Sequence, residues 1–181
     1  MEPTRALYLH GLESGPQAAK AMALSAAGFA VTAPLLETAV VKRLLEVKDF
    51  TPSTWAEAMA LPVSQAVAAL AESRAQVVVG SSFGAAVLLR LLHEGHGVGV
   101  PAVFLAGAGV RLTPLRTIPA GVRALLVHGA QDEVVPRDDS RLLAASSPDA
   151  VLVEVHDDHR LTKTTASGLL VELVRLALRL R

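Results

Sequence analysis

Short runs of consecutive apolar residues alternate along the chain with longer stretches in which apolar positions recur every three or four residues. Ala6-Leu7-Tyr8-Leu9 is such a run and ends in His10-Gly11, the pattern of a strand buried on both faces. Similar runs predict strands at 29–33, 76–79, 102–105, 123–127 and 151–155. Between the first two, Gly15-Pro16 opens a helix that runs from Ala18 to Ala27 and stops at Gly28. Val40, Val41, Leu44, Leu45 and Val47 have helical spacing. After a break at Thr51-Pro52-Ser53, Thr54 is placed to cap a helix carrying Trp55, Ala58, Met59, Ala66, Val67 and Leu70, with a kink or interruption expected at Pro62. Another helix follows Ser82 and reaches His93, and Gly95, Gly97 and Gly99 form a turn. A helix at 136–145 and a final amphipathic helix at 164–180, its leucines facing a core, complete the reading.

Strands alternating with helices imply right-handed crossovers. The expected fold is a three-layer, doubly wound parallel α/β sheet of about six strands, in a single domain spanning residues 1–181. Hydrophobic residues make up 51% of the chain and aromatics only 3%, so Ala, Leu and Val must build the core. The formal net charge is zero with no basic patch, which removes the electrostatic case for a nucleic-acid partner. There is no cysteine, and so no disulfide, thiolate chemistry or cysteine-based zinc site. No uncharged apolar stretch of about 18 residues is present, so no membrane span is expected. The N-terminus lacks the pattern of a signal peptide, and a cytoplasmic location is the default expectation.

Ligands of open parallel sheets bind at the carboxyl ends of the strands. The polar residues collect there: His10-Gly11, Gly80 to Gly84, His128 to Asp132 and His156 to His159. Gly80-Ser81-Ser82-Phe83-Gly84 fits G-x-S-x-G between a strand and a helix, where a tight turn would raise the Ser82 hydroxyl above the sheet. The flanking glycines remove side chains that would clash, and the helix N-terminus favours a developing oxyanion. The bland alternative is an ordinary crossover turn with a capping serine. A serine nucleophile needs a base held by a third group, in the chain order Ser, acid, His. Asp132 and His159 follow the fifth and sixth strands in that order. His156 is the competing base, while Asp132 could instead be a turn residue, and Asp138 or Asp139 a helix cap. His10 and His128 read as supporting groups near the site, and His93 and His96 as residues of a helix end and turn. The Phe83 amide and, from the loop after the first strand, the Leu12 amide are the candidate oxyanion donors. Gly11 permits the close backbone approach.

Leu7-Tyr8-Leu9-His10-Gly11, Gly80 to Gly84, His128-Gly129-Ala130-Gln131-Asp132-Glu133-Val134-Val135-Pro136 and Asp158-His159, taken together, resemble the α/β-hydrolases, most of all small bacterial esterase-like members. The resemblance covers nearly the whole chain. It implies an acyl-enzyme on Ser82, with His159 as general base oriented by Asp132, a small-molecule acyl substrate, and no cofactor or metal. The sequence departs from larger members of the family: the stretch before the first strand leaves no room for the usual leading hairpin, and 110–122 is too short for a large cap domain, so a compact form is expected. Residues 35–50 are then either a small lid or an extra helix at the sheet edge. Asp158 stands before the base where related small hydrolases often carry Gly or Asn.

Other readings fare less well. Gly80 to Gly84 lacks a P-loop lysine, and Gly95, Gly97 and Gly99 precede a strand rather than a helix. A metal site from His156, Asp157, Asp158 and His159 would need adjacent ligands of one short loop to converge. A thioesterase or amidase would share the same machinery, and a non-catalytic binding protein could use the same fold.

Overall fold

The structure, a computed structural model, describes residues 2–49 and 51–180. Six strands form one all-parallel sheet: β1 (Arg5–Leu9), β2 (Ala30–Thr32), β3 (Val77–Ser81), β4 (Ala102–Leu105), β5 (Ala124–Gly129) and β6 (Ala150–Val155). Their order is β2-β1-β3-β4-β5-β6. The helices are α1 (Ala19–Ala26), α2 (Ala39–Val47), α3 (Pro52–Ser73), α4 (Phe83–His93), α5 (Gly109–Leu112), α6 (Arg137–Ala145), α7 (Thr162–Ala166) and α8 (Leu169–Ala177).

Strand side chains alternate between two cores. Leu7, Leu9, Val78, Phe104 and Leu126 pack with the buried faces of α3 and α4. Ala6, Tyr8, Val79, Leu105 and Val127 pack on the other side with α1 and α8. The central helix α4 is buried along almost its whole length, and its Ala85 and Ala86 let it lie close on the sheet. The chain leaves β1 towards the α1 layer and leaves β3 towards the α4 layer. The adjacent carboxyl ends of β1 and β3 are therefore the switch point of the sheet, where a crevice opens between diverging connections.

The expected strands are all present, with bounds shifted by a residue or two. The helices differ in four places. Thr51, not Thr54, caps α3: its Oγ1 accepts the Thr54 amide at 3.3 Å, and Pro52 occupies the first turn, where its missing N–H costs nothing. That helix runs unbroken through Pro62. The final helix is two, because Gly168 adopts φ +81° between α7 and α8. The single turn α5 was too short to show a period.

Of the 35–50 segment, Phe50 lies outside the described residues. One face of the rest packs inward: Val41 is fully buried, Leu36 nearly so, and Leu44 and Leu45 lean on the same core as α3, while Leu35, Val40 and Val47 are exposed. This is the arrangement of a packed extra helix.

Candidate active site

Ser82 lies just beyond β3 with φ +52° and ψ −111°, a conformation non-glycine residues avoid. The neighbouring glycines make it possible. A Cβ on Gly80 would stand 2.6 Å from the Gly84 carbonyl oxygen, and one on Gly84 would overlap the Leu9 carbonyl of β1. The Ser82 carbonyl accepts the amides of Ala85, Ala86 and Ala108, and its own amide donates to Leu105, so the strained turn is anchored to α4 and to β4. The Ser82 hydroxyl does not cap α4. It faces His159 instead, with Oγ 3.0 Å from Nε2.

Asp132 and His159 are brought together by the loops after β5 and β6. The Ala130 amide donates to the Val155 carbonyl at 2.8 Å, and the Gln131 amide to the Asp157 carbonyl at 2.9 Å. Gly129 allows this approach, since a Cβ there would run into the Asp157 carbonyl. Within this stitched unit His159 Nδ1 donates to Asp132 Oδ2 at 2.8 Å. A carboxylate only accepts, so Nδ1 carries the hydrogen and Nε2 presents its lone pair to Ser82. The Asp132 carboxylate is wholly shielded from solvent and the His159 ring is one-fifth exposed. Asp132 Oδ1 accepts the Val134 and Val135 amides, each at 2.8 Å, so its orientation is fixed from both ends.

The loop after β1 completes the crevice. A Cβ on Gly11 would lie 3.5 Å from both the Ser81 carbonyl and Ser82 Cβ, so this backbone runs against the turn. His10 holds it there. The Leu36 amide donates to His10 Nε2 at 2.9 Å, which leaves Nδ1 to donate to the Gly11 carbonyl at 2.8 Å. Ser14 Oγ accepts the Gly11 amide at 3.1 Å. Among the described residues neither the Leu12 nor the Phe83 amide donates a hydrogen bond within the chain. Both are free to serve a ligand.

The remaining sequence candidates lie apart. His156 is exposed beyond β6. Asp138 pairs with Arg141 at 3.0 Å and Asp139 with Arg111 at 3.6 Å, and neither side chain caps α6. His93 donates to the Thr117 carbonyl at the far end of α4. Among the described residues no cluster of three or more His, Cys, Asp and Glu side chains could hold a metal. Asp157 is committed elsewhere: its Oδ2 accepts the amide and hydroxyl of Thr164, at 2.7 and 2.8 Å, and its Oδ1 accepts the Asp158 amide. Burial opposes its ionisation, but these donors outweigh burial and hold the carboxyl below its ordinary value. The positions that sequence reading passed over are Gly129, whose role depends on a backbone 28 residues away, and Ser140, which bonds His128 from α6.

No protein-family model matches the chain, and no curated protein sequence does. Solved structures do. A protein of Xanthomonas campestris assigned to the α/β-hydrolase superfamily superposes with a TM-score of 0.68 at 22% identity, covering 96% of this chain and 97% of that one. A structure from work on LipS and LipT, two metagenome-derived lipolytic enzymes, gives 0.72 at 16% identity, over 98% and 94%. An esterase of Exiguobacterium antarcticum gives 0.69 at 11% identity, over 97% and 92%. The chain has the α/β-hydrolase fold.

Proposed function

We propose that this protein is a serine hydrolase of the carboxylesterase type, acting on small acyl esters through an acyl-enzyme on Ser82. The observation that carries the reading is the continuous hydrogen-bonded chain from Ser82 Oγ through His159 to the shielded Asp132 carboxylate. His159 Nε2 takes the hydroxyl proton as Ser82 Oγ bonds to the carbonyl carbon of the ester. The Phe83 and Leu12 amides, with the N-terminus of α4 behind the former, stabilise the negative charge that develops on the carbonyl oxygen. Collapse of the tetrahedral intermediate breaks the bond to the leaving alcohol, which receives the proton from His159. Water then repeats the sequence, giving up its proton to Nε2 and releasing the acid and free Ser82. Asp132 stabilises the imidazolium in each half without taking its proton. The chemistry needs no cofactor. The fold of lipolytic and esterolytic neighbours is compatible with it.

The test is labelling with a fluorophosphonate probe alongside hydrolysis of a panel of p-nitrophenyl esters. The wild type is expected to be labelled and active, and Ser82→Ala to be neither. Unlabelled wild type, or activity that survives the substitution, defeats the proposal.

A further inference from the structure

β5 carries a histidine with more in its reach than packing requires. His128 is completely buried. Its Nδ1 lies 2.7 Å from Ser140 Oγ on α6, and its Nε2 lies 2.9 Å from the Val135 carbonyl oxygen and 3.2 Å from Asp132 Oδ2. The Val135 carbonyl is an acceptor, so Nε2 carries the hydrogen and donates it there, and Asp132 Oδ2 lies 3.2 Å from the same nitrogen. Ser140 can then donate to Nδ1, which leaves every polar atom of the ring satisfied. Asp132 Oδ2 is thus the meeting point of two imidazoles, His159 on its solvent side and His128 on its buried side. Packing alone would not require this. An apolar side chain opposite an apolar residue 140 would fill the space without burying a polar pair.

The charged neighbours are engaged elsewhere. Glu154 is the register partner of His128 on β6, but Arg141 binds its carboxylate at 2.6 and 3.1 Å and holds its pKa below the ordinary value. Asp139, next to Ser140, faces Arg111.

We propose that His128 is a positioning residue for the carboxylate. By holding the Val135 carbonyl it fixes the loop whose Val135 amide binds Asp132 Oδ1, and it sets the positive end of its N–H dipole 3.2 Å from Asp132 Oδ2, so that the carboxylate stays turned towards His159. This rests on the serine-hydrolase reading above.

The amide of glutamine falls where imidazole Nε2 lies, and that of asparagine where Nδ1 lies. H128Q therefore keeps a donor for Asp132, whereas H128N keeps only the Ser140 contact. The experiment measures p-nitrophenyl acetate hydrolysis against pH, normalised to the serines titrated by a fluorophosphonate. In H128N, kcat per titrated site falls roughly tenfold while KM holds. H128Q retains most of the wild-type kcat. Wild-type behaviour of H128N per titrated site, equal losses in both variants, or a loss confined to KM or thermal stability overturns the proposal. Should H128N not fold, S140A frees the ring from α6, and kcat per titrated site must fall at constant KM or the proposal is overturned. A wild type that the probe does not label defeats the hydrolase reading itself, an outcome distinct from a labelled wild type with unaffected variants.

Discussion

In the proposed mechanism the Asp132 carboxylate acts by selecting a tautomer. It accepts from His159 Nδ1 and so leaves Nε2 as the lone pair that faces Ser82. Asp132→Asn is isosteric but presents an amide N–H that can donate to Nδ1, placing the imidazole hydrogen on Nε2, where it cannot accept the serine proton. We expect kcat for p-nitrophenyl ester hydrolysis to fall by about three to four orders of magnitude. A loss of less than about tenfold would remove Asp132 from the triad. At this scale much was legible in the sequence. Ser82, Asp132 and His159 stand in an order and at strand ends that only a few chemistries use, and the structure brings the three within hydrogen-bonding distance. The contacts of His128 were not legible. They depend on Ser140, which reaches the ring from the far side of a loop, and no spacing rule encodes that approach.

Elements place these residues through backbone approach, and glycine decides where approach is possible. Gly84→Ala would drive a methyl group into the Leu9 carbonyl between two buried elements, and we expect a loss of about 3 kcal/mol or more in denaturant unfolding. Gly15→Ala, with nothing within 4 Å of the added methyl, should change stability by no more than about 0.5 kcal/mol. Equal effects would mean that close packing under the elbow is not what Gly84 supplies. The link between β6 and α7 makes a second case. Asp157→Ala leaves the Thr164 amide and hydroxyl without their buried acceptor, at a cost of about 1–3 kcal/mol. The folded-state pKa of Asp157 is depressed, so its ionisation stabilises the fold above the unfolded-state pKa, and that stability is lost as pH falls through the folded value. As pH falls from about 4, the ordinary aspartate value, the wild type should therefore lose more stability than Asp157→Asn; parallel curves would contradict this. Sequence periodicity located the long elements but joined α7 to α8. The leucines that carry the period all follow Gly168, and residues 164–167 were joined to them without a period of their own.

For the whole molecule, the small share of aromatic residues makes each one count. Tyr8 on β1 is sealed between the sheet and the α1–α8 layer, and burial pushes its hydroxyl up to about 12 from 10.0. The raised value means that the neutral form belongs to the fold. Its contribution is complete below pH 10 and is lost as pH rises from there towards 12, amounting to about 3 kcal/mol at full ionisation. Tyr8→Phe cannot ionise, and its unfolding midpoint in denaturant should decline less across that alkaline window. A decline as steep as the wild type's would show that another group dominates. The architecture itself was largely readable, because strands buried on both faces are continuous apolar runs and the helices between them are long. Strand order was not. It emerges from which layer each crossover covers, a property of packing rather than of any local run.

The stitching of the Asp132 and His159 loops has a mechanical consequence. Two backbone hydrogen bonds and a glycine without room for a side chain make the loops of Asp132 and His159 one unit. Ser82, clamped to β4 and to α4, belongs to another. The two separately anchored units meet at the 3.0 Å contact between Ser82 Oγ and His159 Nε2, so a change in either anchor is read at that one distance.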